Sequence, residues 1–156
     1  MSLVIVGASL LNAKTLEGKL LQAFEEWAEK DVNEDYWEEQ FIFKDWPYRG
    51  TTERKNPGAF IENAGDPRDI IDYGNLYRSG VESYSFSMGT SNASASWNWD
   101  AKNGSGKPYA RYVHEGEGTN ITARPWTDEL YYPQKFEASD VRLALMRRIK
   151  MAMSSK

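Results

Sequence analysis

Cysteine is absent from the 156 residues, and histidine occurs once, as His114. The first absence excludes disulfide frameworks, thiol nucleophiles and cysteine-based zinc sites together. The second leaves His114-Glu115 without the partner a zinc hydrolase needs one turn on, because that position is Gly118. No metal or other cofactor is therefore expected. Basic charge is not in excess either. With 19 Lys and Arg against 23 Asp and Glu the net charge is −4, and tight nucleic-acid binding is not expected, since it works by clustering cations that displace counterions from phosphate. Long apolar runs are missing as well. The N-terminal MSLVIVGASLL is apolar but has no basic leader and is too short to span a bilayer, so it reads as a buried first strand rather than a signal peptide, and no membrane association is expected.

What the chain does have is aromatic residues, six Trp, nine Tyr and six Phe, in a length that suits one domain with one core. Leu3 to Val6 is β-prone. Thr15 is placed to cap a helix in which Leu16, Leu20, Phe24, Trp27 and Ala28 recur at helical spacing while Glu17, Lys19, Glu25, Glu26 and Lys30 face away. The acidic, aromatic segment Asp31 to Phe43 extends this helix or forms its own. Lys44 to Pro67 holds too many prolines and glycines for regular structure and reads as a long loop, a solvated excursion or a docking arm.

Asp72 or Asn75 is placed to cap a short helical turn through Leu76 and Tyr77 that ends at Gly80. Then comes the strongest β signal. Glu82, Tyr84, Phe86 and Met88 alternate with Val81 and serines, and after the turn at Gly89 to Asn92, Ala93, Ala95, Trp97 and Trp99 alternate with Ser94, Ser96 and Asn98. This predicts a hairpin from Val81 to Trp99 with one aromatic and one serine face. Tyr131, Tyr132 and Pro133 lead to a last helix from about Ser139, whose hydroxyl can cap it. Val141, Leu145 and Ile149 point inward there, and Arg142, Arg147, Arg148 and Lys150 lie toward the C-terminal end. The fold class expected is α+β: a small antiparallel sheet with a β-hairpin, packed by an N-terminal and a C-terminal helix, with a long extended loop.

Candidate chemistry is thin. Asn103 to Lys107, NGSGK, imitates a phosphate loop, but Pro108 stands where a magnesium-holding Ser or Thr belongs and Ala101 replaces the first glycine, so a hairpin connection is expected. Glu115 and Glu117 lie two residues apart on a glycine loop, whereas glycosidase carboxylates face each other across a substrate. An enzyme is not expected. Trp97, Trp99 and Trp126 suggest a carbohydrate-binding face by ring stacking, but Trp97 and Trp99 share a strand face with Ala93 and Ala95 opposite Tyr84 and Phe86, the pattern of a buried sheet face.

The chain centres on Lys107 to Trp126, KPYARYVHEGEGTNITARPW. Tyr109, Tyr112 and Val113 fall on one face of a helical turn, Gly116 and Gly118 end it, and Pro125 biases Arg124 toward extended backbone. Held this way, Arg124 is directed at a carboxylate such as Asp72 or Glu115.

The pattern Tyr-Ala-x-Tyr-Val-His-x-Gly followed by Ala-Arg-Pro-Trp resembles a motif of the small tail-completion or head-to-tail joining (neck) proteins of long-tailed double-stranded DNA bacteriophages. Upstream, RDIIDYGNLYRS from Arg68 to Ser79, with Asp72, Gly74 and Leu76, is similar to a second segment of that family, although Tyr73 stands where Thr is usual. The N-terminal part is similar only in layout, and the Trp-rich stretch before Pro67 departs from the family. The resemblance implies a virion structural subunit without catalysis: part of a homo-oligomeric, often hexameric ring that contacts other neck proteins and tail-tube proteins while DNA passes through. It places the protein in the virion after assembly in the host cytoplasm. A tail terminator or minor tail protein suits the same features. An acidic bore would repel DNA and let it slide, which makes Glu25, Glu29, Glu34, Glu38, Glu115 and Glu117 candidates for the channel lining. Arg142, Arg147 and Arg148 are candidates for partner contacts.

Overall fold

The computed structural model describes residues 1–7, 14–44, 46, 74–89, 92–116 and 123–154. The expected long loop from Lys44 to Pro67 lies outside them apart from Lys44 and Trp46, as do Asp72 and Glu117. The elements are β1 (Ser2–Gly7), α1 (Lys14–Glu26), α2 (Asn75–Glu82), β2 (Ser85–Met88), β3 (Ala93–Asn98), α3 (Ala110–Glu115), α4 (Asp128–Tyr131), α5 (Pro133–Glu137) and α6 (Asp140–Ser154). With its small sheet ordered β1-β3-β2, the fold is α+β as expected. No helix among the described residues is long and apolar enough to cross a membrane.

The chain forms two compact units. One comprises Met1, Trp37–Ser83 and Asn98–Trp126; the other comprises Ser2–Tyr36, Tyr84–Trp97 and Thr127–Lys156.

In the second unit the hairpin is built as its alternation dictates. Ser85 pairs with Ser96, Phe86 with Ala95, Ser87 with Ser94 and Met88 with Ala93. The predicted serine face is real: the Ser85–Ser96 and Ser87–Ser94 hydroxyls are each 2.8 Å apart across the strands. On the other face Ala93, Ala95 and Trp97 are buried. The hairpin starts later than expected, because Val81 and Glu82 belong to α2 and the strand begins at Ser85. Alternation over Val81 to Ser83 also fits the end of a short helix, and helical hydrogen bonding wins there.

After α1 the helical path continues through Asp31 to Phe43 with an unexpected geometry, since Trp27–Tyr36 and Glu39–Phe43 are π-helical. The buried residues explain it. Trp27 and Ala28, then Val32, then Tyr36 and Trp37, then Gln40 and Phe41 recur every four to five positions, wider than the 3.6-residue turn of an α-helix. An i→i+5 bonded turn keeps Trp27, Val32 and Tyr36 on the buried side of the second unit. In the second unit this run holds the hairpin and α6. Phe24 stacks on Trp27 at 5.4 Å and meets Phe86 at 6.0 Å. Asn33 Oδ1 accepts a hydrogen bond from the buried Trp97 indole at 2.9 Å, and the Trp27 indole donates to the Val141 carbonyl at 2.9 Å.

α6 starts where its sequence signal lies. The Ser139 hydroxyl accepts from the Arg142 N–H at 3.3 Å and donates to the Phe136 carbonyl at 2.7 Å, so it closes α5 and caps α6. Val141 is buried, and Leu145 and Ile149 are half-buried. Tyr131 and Tyr132 are not a simple lead-in, because they end the short helix α4 and join it to α5.

Candidate functional site

The stretch that carries the resemblance lies in the first unit and is built around tryptophan. α3 is closed by Gly116, whose left-handed backbone (φ 70°) lets its N–H reach the Tyr112 carbonyl. The chain returns at Ala123, so close to Gly116 that an added Cβ there would sit 2.6 Å from the Ala123 nitrogen. The Arg124 N–H then bonds to the Val113 and His114 carbonyls at 3.1 and 3.2 Å. Thus the Tyr-Ala-x-Tyr-Val-His-x-Gly and Ala-Arg-Pro-Trp halves are fastened to each other through main chain.

Trp126 anchors this arrangement. It is fully buried, and the His114 ring meets it edge-on at 4.7 Å. Phe41 lies 5.3 Å from it and Trp99 6.0 Å, and Trp99 in turn stands edge-on to Trp37 at 4.8 Å. Met1 and Trp99 exchange main-chain hydrogen bonds of 2.6 and 2.9 Å, the signature of an antiparallel pair. Gly80 in α2 faces the Trp99 indole. Burial raises the pKa of Tyr77, which packs on Phe41 at 5.7 Å, and Glu38 adds to the shift.

Several expectations need revision here. Tyr112 is exposed, and the buried side of α3 runs through Ala110 toward the half-buried Val113 and His114, so the inward face is rotated from the Tyr109–Tyr112 line. Arg124 is buried. Of its two expected partners, Asp72 lies outside the described residues, and Glu115, on α3, has a 3.0 Å ion pair with Arg111 among its contacts. α2 is led in by Gly74, in the left-handed region at φ 75°, and the Asn75 side chain accepts from Arg78 at 3.2 Å instead of capping the helix; Asp72, the other expected cap, lies outside the described residues. Leu76 is buried in this helix, and Pro125 is half-buried beside Trp126 in the chain.

The NGSGK segment is a stapled turn. Asn103 Oδ1 accepts from the Ser105 N–H and hydroxyl and from the Lys107 N–H at 2.9 to 3.1 Å, while Lys102 bridges Pro108. The Ser105, Gly106 and Lys107 amides point at Asn103, not outward at an anion. Trp97, Trp99 and Trp126 are buried to 1% exposure or less, so none of these three offers a ring to a sugar. Among the described residues no cluster of three His, Asp or Glu is placed to hold a metal ion.

The described acidic candidates are at the surface. Glu25, Glu29 and Glu34 in the second unit and Glu38 in the first are exposed. Glu34 is paired with Lys30 at 2.5 Å. In the second unit, Glu29 and Glu25 add to the burial that pushes the Tyr84 phenol up to about 12. Burial also raises Tyr36, reinforced by Glu129 and Asp128. Of the three arginine candidates, Arg147 is exposed and Arg142 half-buried, but Arg148 is engaged within its own unit. Its guanidinium bonds both oxygens of Asp31, with Nη2 at 3.2 Å from Oδ1, and Nη1 lies 3.2 Å from Glu26.

Sequence reading missed three features. Trp37 joins the tryptophan core, which the 4–5-residue spacing of large apolar side chains would have indicated. The exposed rings of Tyr131 and Tyr132, edge to face at 5.1 Å, were legible only as an aromatic pair. Leu143, Met146 and Met153 form an exposed apolar side of α6, and the signal was that α6 has more apolar residues than one inward stripe needs. No family model, curated protein or solved structure matches this chain.

Proposed function

We propose that this protein is a structural subunit of a bacteriophage neck ring, which joins or completes the tail at the head–tail interface and lets DNA pass. The observation that carries the reading is the use made of the resembling residues. Gly74, Gly116, His114, Arg124 and Trp126 serve backbone conformation, main-chain fastening and ring packing, the work of a scaffold motif rather than of a reactive centre. The exposed row Glu25, Glu29 and Glu34 of the second unit supplies the repulsion toward phosphate that a sliding duplex requires. A tail terminator would use the same features. The carbohydrate-binding reading loses the exposed rings it needs at Trp97, Trp99 and Trp126.

Negative-stain microscopy of the purified protein tests this. A closed ring with a central hole wide enough for duplex DNA is expected, with the glutamate row facing the hole. A ring whose bore is lined by Arg and Lys would refute the acidic-channel assignment. Glycan-dependent quenching of tryptophan fluorescence in a protein that forms no ring would refute the neck reading.

A further inference from the structure

α6 uses one side to pack on α1 and on the π-helical run, through Val141 and Arg148. Its other side is unusual. Leu143, Met146 and Met153 are 47, 48 and 57% exposed, and with Ile149 they line a shallow apolar groove edged by Arg147 and Lys150. Contiguous apolar surface of this kind marks a contact site, and methionine suits a surface that adapts to a partner. Charge narrows the choice of partner. α6 carries four basic residues and one acidic, against fifteen basic and twenty-two acidic in the rest of the chain. The groove therefore fits an apolar body with acidic flanks.

The same compact unit displays such a body. Tyr131 and Tyr132 are 67 and 46% exposed. Their rings brace each other edge to face; Lys135 lies over the Tyr132 ring at 5.3 Å but is neutralised by Asp128 at 2.5 Å, which leaves the exposed Glu137 at the end of the adjoining α5 as the uncompensated charge beside the knob. Tyrosine is enriched among residues that anchor interfaces, because it contributes area at low entropic cost and carries a polar tip. Arginine and methionine are enriched on such surfaces too.

We infer that the Tyr131–Tyr132 knob of one copy docks into the Leu143–Met146–Met153 groove of a second copy, with Arg147 and Lys150 meeting the acidic flank of the knob. Knob and groove are different surfaces, so the contact is heterologous and propagates from copy to copy until a ring closes. The inference deepens the neck reading by naming the subunit contact, and it rests on that reading only for the closure.

Sedimentation velocity over about a hundredfold concentration range tests it, on the scale where transient contacts associate. Wild type should self-associate, less so in high salt. A groove variant (Leu143→Asp with Met146→Asp) and a knob variant (Tyr131→Ser with Tyr132→Ser) should each stay at the 17.8 kDa of the chain. All four positions are exposed, so folding should survive, and unchanged circular dichroism checks this. The decisive arm mixes the two variants. Each retains the half the other lost, so the mixture should form a capped dimer of twice the monomer mass and nothing larger. A wild type that stays monomeric throughout, or variants that associate as wild type does, would overturn the contact. So would a mixture that stays monomeric, or monomeric wild type whose groove residues are needed instead for binding anionic vesicles. A wild-type ring that survives both variants sinks this contact and spares the neck reading. Open chains that never close, yet depend on both surfaces, do the reverse.

Discussion

Replacing Gly80 by alanine sets a local rule against a tertiary one, and the two predict opposite signs. Gly80 lies inside α2 (Asn75–Glu82), where alanine is favoured over glycine by about 1 kcal/mol on helix propensity. If α2 were isolated, the change would stabilise. In the folded chain a Cβ at this position falls 2.1 Å from Trp99 Nε1, 2.4 Å from Cε2 and 2.8 Å from Cδ1, where ordinary contact begins at 3.4 Å. Trp99 cannot easily swing aside, since it is 1% exposed and braced by Trp37 at 4.8 Å and Trp126 at 6.0 Å. Overpacking of a filled core costs about 1–3 kcal/mol, and three sub-contact distances place this case at the upper end. Set against the helix gain, Gly80→Ala should destabilise by about 2 kcal/mol. In guanidinium chloride, with a slope of about 4 kcal/mol/M for a chain of this size, the midpoint should fall by about 0.5 M with the slope unchanged. Trp99→Phe removes the indole nitrogen, and in that background Gly80→Ala should lose most of its penalty, which a double-mutant cycle measures directly. A Gly80→Ala midpoint at or above wild type would show that the Trp99 contact does not constrain α2.

Two other outcomes test the second unit. Ser139→Ala removes the side-chain acceptor for the Arg142 N–H; the loss should be about 1 kcal/mol, read as a fall of about 3 °C in Tm, and an unchanged Tm would mean that the cap is idle. Alkaline titration followed by tyrosinate absorbance should show Tyr84 ionising late, near 12, and Tyr36 later still, both chiefly because burial disfavours the anion. A pKa raised on folding contributes stability that is present below the unfolded value of about 10 and lost as pH climbs through the folded value. The protein should therefore resist pH up to about 10 and lose stability between about 10 and 12, more gradually in a Tyr84→Phe variant. Ionisation of all nine tyrosines together at the ordinary value, with no loss of structure, would contradict this.

The sequence by itself determined the features that depend on neighbours along the chain. Alternation placed the serine face and the buried Ala93, Ala95 and Trp97 face of the hairpin, because a strand sends successive side chains to opposite sides. Ser139 marked the start of α6, since a hydroxyl three residues before an unsatisfied N–H is a local fact. Glycine marked the left-handed end of α3 at Gly116, because only glycine adopts it without strain. Tertiary structure decided what depends on residues far apart in sequence. It buried Arg124 and turned Tyr112 outward, since which side of a one-turn helix is covered depends on the return arm. It took Arg148 for Asp31 and Glu26, more than a hundred residues away, leaving Arg147 on the surface. It carried α2 through Gly80 past the expected stop, because helical bonding there is compatible with, and covered by, the Trp99 ring. It widened the helix after Glu26 to π geometry, because a turn of 3.6 residues would carry Trp27, Val32 and Tyr36 off the buried side of the second unit one after another.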